Sequence, residues 1–216
     1  MREEVKNLLD LRIRMLYEHH IVSVFPVQPL TVLRMIPNCR CMSYRRLAEV
    51  SGRNLTEIVR ACGSGDGSTT YDPILNRYLV VINYDGRSRA RVRWTAAHEL
   101  GHILAGHFLE LGTDAVRVSD LPCMEDEADY FAASFLAPIA AIRRIGAKSA
   151  ADVRDWFDIS QAAAEYRWAE FLRSTEDGCL EDYFSWARAR SVLKTGKRLS
   201  GTVQNIVPDD DELRLL

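Results

Sequence analysis

His98-Glu99-Leu100-Gly101-His102 sets two imidazoles and a carboxylate at the H-E-x-x-H spacing. On an α-helix, residues four apart lie about 40° apart around the axis and about 6 Å along it. Both rings therefore leave the helix on one face, close enough to share a cation. Glu99 stands beside them, where its carboxylate can reach a water at the cation without ligating the metal. Two nitrogen ligands, an open position and an acid/base are the parts of a zinc hydrolase. The plain alternative is a pair of surface histidines on an amphipathic helix. The neighbours argue against it, because Thr95-Ala96-Ala97 and Gly101 are small, as a closely packed helix requires, and Ile103 and Leu104 continue an apolar face.

Catalytic zinc usually takes three protein ligands plus water. His107 is the nearest further histidine, but the H-E-x-x-H-x-x-G-x-x-H pattern calls for a glycine and a histidine where this chain has Ala105 and Phe108. His107 is therefore expected near the helix end, exposed or facing the helix dipole. A better third ligand lies in residues 122–138, which read as a helix with Pro122 in its first turn, acidic residues crowding its start and Pro138 stopping it. Glu125 and Asp129 share a face, with Ala128 and Ala132 keeping that side slim. Glu125 can complete the ligand set while Asp129 accepts from a histidine N–H. Glu127 points about 200° away from Glu125. The bland reading of the same segment is an acidic first turn favoured by the helix dipole.

The elements that must position these groups are legible in outline. A helix is expected over residues 2–20, with Leu8, Leu9, Leu11, Met15 and Leu16 on its period and His19-His20 at its end. Residues 44–50 and 56–62 read as short helical or extended pieces, and residues 63–68 as a flexible turn lacking the lysine of a phosphate loop. The clearest strand is Arg77-Tyr78-Leu79-Val80-Val81-Ile82-Asn83-Tyr84. It could be an edge that receives an extended substrate or a buried central strand, and the apolar run permits both. Ser88 caps a helix running through the metal motif to Gly106. Arg87, Arg89, Arg91 and Arg93 form a basic cluster without interleaved aromatics, read as a solvated face or a clamp for an acidic substrate segment. Ser149 and Ser160 start two further helices. Residues 149–173 have the outline of a helix-turn-helix, yet the second helix offers only Arg167 as an early base, which argues for a packing subdomain over a DNA reader. Another helix is expected over residues 180–194, followed by an acidic end.

The chain has 216 residues, 47% hydrophobic and 27% charged, enough for one sizeable core. Its net charge of −2 argues against a protein that coats nucleic acid, so no direct nucleic-acid binding is expected. With no apolar run of bilayer length and a charged Met1–Lys6 segment, no membrane association and a cytoplasmic location are expected. The five cysteines lack a C-x-x-C and are expected as reduced, mostly buried thiols, Cys123 among them.

Residues 80–138 resemble the ImmA/IrrE family of metallo-endopeptidases. The likeness runs through Val80-Val81-Ile82-Asn83, Arg93 to Leu104, and Glu125 to Pro138. The family's second block reads E-x-E-A-N/D-x-F-A-A-x-L-L-M-P; here Phe135 and Ala137 replace its first Leu and its Met, both at packing positions. The resemblance implies Zn2+ on His98, His102 and Glu125, with Glu99 as the catalytic carboxylate. It implies an α+β fold, with a zincin-like metallopeptidase core carrying a small antiparallel or mixed sheet on the active-site helix and a helical C-terminal subdomain. The expected divisions are residues 1–146 for the core, 147–206 for the helical subdomain and 207–216 for a mobile tail. The implied substrate is a helix-turn-helix (Xre-type) transcriptional repressor of a mobile element or stress regulon. A non-cleaving or weakly cleaving zinc-binding anti-repressor is the alternative. Tyr78, Tyr84 and Tyr166 are candidates for the oxyanion donor by residue type alone.

Overall fold

The computed structural model describes residues 1–18, 25–111 and 121–174. Its elements run α1 (Glu3–Glu18), α2 (Pro29–Met35), β1 (Cys39–Ser43), α3 (Tyr44–Ser51), α4 (Leu55–Cys62), β2 (Gly67–Asp72), β3 (Arg77–Ile82), α5 (Arg89–Ala105), α6 (His107–Leu111), α7 (Pro122–Leu136), α8 (Ile139–Ile145), α9 (Ala150–Phe157) and α10 (Gln161–Arg173). This is an α+β fold, mostly helical, with one small mixed sheet. No described helix is long and apolar enough to cross a membrane. His19-His20, the helix expected over residues 180–194 and the acidic end lie outside the described residues.

The sheet has the order β1-β3-β2, with β3 parallel to β1 and antiparallel to β2. The apolar strand is thus the central one, and the edge reading of β3 is overturned. Its run is continuous because both faces are covered. Val80 and Ile82 join the main core with Ala96, Ala97 and Leu100 of α5, while Val81 faces Tyr44, Ala48 and Ile58 of α3 and α4. The segments left open between helix and strand at residues 44–50 and 56–62 are both helical. Ser43 caps α3, and a reciprocal capping box between Asn54 and Glu57 starts α4. Part of the expected flexible turn is instead the start of β2.

Helix α1 buries Val5, Leu9, Ile13 and Tyr17, four residues apart each time. That stripe differs from the expected one, since Leu11 and Met15 are exposed. The expected set mixed two faces, because a leucine-rich helix offers more apolar residues than one stripe can bury. Tyr17 anchors α1 to α7 by donating its hydroxyl to the Phe135 carbonyl at 2.7 Å.

Helices α5 and α7 form the centre of the molecule. Gly101 lets them meet, because a Cβ there would lie 3.1 Å from Ala128 Cα, Ala128 O and Phe131 Cβ. Ser88 caps α5 by accepting from Arg91 N, and Ser149 and Ser160 cap α9 and α10 in the same way. Arg87, Arg89 and Arg91 are exposed, as the solvated-face reading expects, while Arg93 departs from it. Arg87 and Arg91 hold Asp66. Arg93 is buried and donates to the carbonyls of Val27, Phe157 and Asp158 at 2.8, 3.1 and 2.7 Å. It thereby ties α5 to the end of α9. Helix α10 packs on α7, α8 and α9. Its buried Arg167 donates to Ala137 O at 2.9 Å and is paired with Glu170.

Candidate metal centre

The local helix carries the first part of the site. His98 and His102 leave α5 on one face, with their Nε2 atoms 3.0 Å apart. Glu125, in the first turn of α7, reaches across to both: its Oε2 lies 3.3 Å from His98 Nε2 and its Oε1 3.3 Å from His102 Nε2. The three residues form a group whose ligand atoms all lie within 4.8 Å of one another. Four ligands set tetrahedrally at about 2.0–2.1 Å from a zinc ion are separated by about 3.3 Å. The observed spacings therefore match one face of such a tetrahedron. Two imidazole nitrogens and a carboxylate converge on one point, a donor set suited to a divalent cation.

Ring orientation reinforces this. His98 Nδ1 lies 2.8 Å from Asp129 Oδ1, so the carboxylate accepts from Nδ1–H and Nε2 faces inward. His102 Nδ1 also turns away from the cluster, to His107 Nδ1 at 2.8 Å. Burial disfavours the charged form of His98, but Asp129 and Glu125 outweigh it and raise the ring to about 10. The adjacent His102 and His98 rings hold the Glu125 carboxyl well below the usual range.

Glu99 is buried, and its Oε2 accepts from Thr69 Oγ1 at 2.7 Å. Burial pushes its carboxyl up, opposed by the two neighbouring histidines and by Thr69. A buried carboxylate with a raised affinity for protons, held by one hydroxyl, is suited to move a proton. The approach of β2 depends on Gly67. A Cβ there would fall 2.4 Å from Thr95 Cγ2 and 3.4 Å from Glu99 Oε1. Thr69 had not been singled out from the sequence; a Gly-Ser-Thr-Thr run without apolar alternation reads as turn.

His107 corrects the expectation of an exposed residue at the helix end, for it is fully buried. Gly106 ends α5 at φ 79, a left-handed backbone that glycine adopts without strain. The chain reverses at once and brings His107 back against His102. Its Nε2 lies 3.0 Å from Glu127 Oε2. Glu127 faces away from Glu125, as its helical position predicts, but into the protein and onto Arg2. Cys123 is exposed, not buried, while Cys41 is buried and Cys39 and Cys62 are half-buried. Of the tyrosines, Tyr166 bonds Glu170 on its own helix at 3.3 Å. Tyr78 packs its ring on Phe108, whose own ring meets His102 with centroids 6.3 Å apart.

The family model of the IrrE N-terminal-like domain, peptidase M78, matches residues 58–171, more than half of the chain. The chain belongs to this family. The M78 match begins within α4 and covers β2 and all that follows to α10, so Thr69, His98, Glu99, His102, His107, Glu125, Glu127 and Asp129 all lie inside it. Arg2 lies outside. Comparison with curated proteins gave no match.

Proposed function

We propose that this M78-family chain is a zinc-dependent endopeptidase with a zincin-like core. His98, His102 and Glu125 are its metal ligands and Glu99 is its catalytic residue. The observation that carries the reading is the convergence of the two Nε2 atoms and the Glu125 carboxylate at 3.0–3.3 Å, with Glu99 buried beside them.

A zinc ion bound by His98, His102 and Glu125 would supply Lewis-acid polarisation of the scissile carbonyl. Glu99, buried beside these ligands, is placed to hold a proton and pass it to the leaving amine. Burial favours this role, because a carboxylate in a dry site gives up solvation when ionised and so accepts a proton readily. Thr69 fixes which Glu99 oxygen is free for the transfer: Oε2 is engaged, leaving Oε1. Asp129 holds His98 in the tautomer that presents Nε2. The substrate we propose is a protein, a helix-turn-helix repressor of the Xre type, and the support for it is the family likeness. The cytoplasm is the compartment such a substrate requires.

Metal analysis of the purified protein, paired with digestion of a mixed peptide library read by mass spectrometry, tests the reading. Wild type is expected to carry about one zinc per chain and to cut, His98→Ala to lose both. Glu99→Gln is expected to keep the metal and lose cleavage. A Glu99→Gln protein that cuts like wild type overturns the assignment. Metal binding without cleavage by wild type favours the anti-repressor alternative.

A further inference from the structure

Arg2 begins a buried chain of polar groups that ends at the metal ligand His102. Its Nε and Nη2 donate to Glu127 Oε1 and Oε2 at 2.9 and 2.7 Å, and its backbone N–H donates to Oε1 at 2.9 Å. Its remaining Nη1 donates to Glu110 at 2.7 Å. Glu127 and His107 have no exposed side-chain surface at all. A buried carboxylate forked by a guanidinium is ionised and can only accept. His107 Nε2, 3.0 Å away, must therefore carry a proton and donate it to Glu127. A neutral imidazole has one N–H, so His107 Nδ1 is left as a lone pair. The atom facing it at 2.8 Å is His102 Nδ1, which must in turn be the donor. That leaves His102 Nε2 as a lone pair aimed into the metal cluster. Each proton position follows from the one before it, starting at an arginine outside the matched family span.

We propose that His107 and Glu127, locked by Arg2, are positioning residues that fix the tautomer and ring orientation of His102 for metal binding. The inference rests on the metal reading above. Histidine ligands commonly hand their second nitrogen directly to a carboxylate or carbonyl. His98 does so, through Asp129, which is largely exposed. His102 instead has an imidazole interposed and is sealed from water. The two ligands are thus held differently: His102 is the rigid anchor, set by the fold, and His98 the ligand whose partner is open to solvent. The relay also joins α5, α6, α7 and the N-terminal segment through one bonded path, so disturbance at Arg2 is transmitted to the metal.

The test uses the full chain and zinc or cobalt(II) alone. His107→Phe keeps a ring of similar size and removes the acceptor. It is expected to weaken zinc binding, measured by chelator competition, about 10- to 100-fold. It should also shift the visible bands of the cobalt-loaded protein, which report ligand geometry. His107→Asn offers an oxygen near the lost Nδ1 and is expected to recover part of the affinity. Arg2→Ala, half-exposed and remote from the cluster, covers the case in which the phenylalanine variant does not fold; it is expected to cost severalfold in zinc affinity. A merely structural role would lower the melting temperature of the metal-free protein and leave the cobalt bands of the folded variant where they are. Wild-type affinity and wild-type bands in folded His107→Phe or in Arg2→Ala overturn the relay while leaving the metal site intact. A wild-type protein that takes up no metal overturns the metal reading and the relay with it.

Discussion

Replacing Gly101 by alanine tests whether the spacing of α5 and α7 sets the metal geometry. A Cβ at this position lies 3.1 Å from Ala128 Cα, Ala128 O and Phe131 Cβ. Two of these are backbone atoms and cannot rotate away. Ordinary carbon contacts lie at about 3.5–4.0 Å, so the helices must separate by roughly 0.5 Å. His98 and His102 ride on α5 and Glu125 on α7, so the 3.3 Å separations across the site open with them. A zinc site tolerates about 0.2 Å in its bond lengths. Glu125 can follow by leaving its preferred rotamer, which costs about 0.5–1.5 kcal/mol, or roughly two- to tenfold in affinity. Metal-free stability responds differently. Alanine gains about 1 kcal/mol over glycine in a helix, against about 1–3 kcal/mol for overpacking, which leaves a net loss of about 0–2 kcal/mol. Gly101→Ala is therefore expected to bind zinc about two- to tenfold more weakly while its metal-free melting temperature falls by no more than about 8 °C. Chelator competition and thermal denaturation read the two quantities on the same preparations. An unchanged zinc affinity would refute the reasoning, since the ligands would then not depend on the helix spacing.

Two further outcomes follow from the hydrogen bonds and charges around the site. Thr69→Val removes the hydroxyl at Glu99 and keeps the shape; kcat on a cleaved peptide is expected to fall about tenfold, with KM and zinc affinity unchanged. A wild-type kcat would mean that Glu99 is oriented without this bond. Asp66 is the second case: burial opposes its ionisation, but the bonds from Arg91 and Arg87 prevail and hold its carboxyl below the ordinary value. A lowered folded-state pKa stabilises above the unfolded value, near about 3.9, and that gain is lost as pH falls through the folded value. Asp66→Asn is thus expected to be less stable than wild type by about 1 kcal/mol at pH 7 in urea denaturation, with the gap closing in acid as pH falls below the ordinary carboxylate range. A gap of equal size at both pH values would show that the pairing contributes nothing.

What the sequence determined by itself was the part of the site that helix geometry enforces locally. His98, Glu99 and His102 share one turn-and-a-bit of α5, and 3.6 residues per turn leaves no freedom in how they face. That Glu125 and Asp129 share one face of α7 was legible for the same reason, as were the serine caps of α5, α9 and α10, since a cap acts within three residues; that this face meets the two histidines was not. Tertiary structure decided everything that depends on who approaches whom. The apolar run of β3 could not disclose its place in the sheet, because a strand covered on both faces reads alike whichever neighbours it has. Thr69 became a partner of Glu99 only when Gly67 let β2 close on α5. His107 failed the expected ligand spacing in sequence, yet the left-handed turn at Gly106 returned it to His102. Arg2 and Glu127, 125 residues apart, met only through the packing of α1, α5 and α7. Local periodicity fixes directions around one axis, whereas the distance between two axes is set by side-chain volumes at their crossing, here the missing side chain of Gly101 against Ala128.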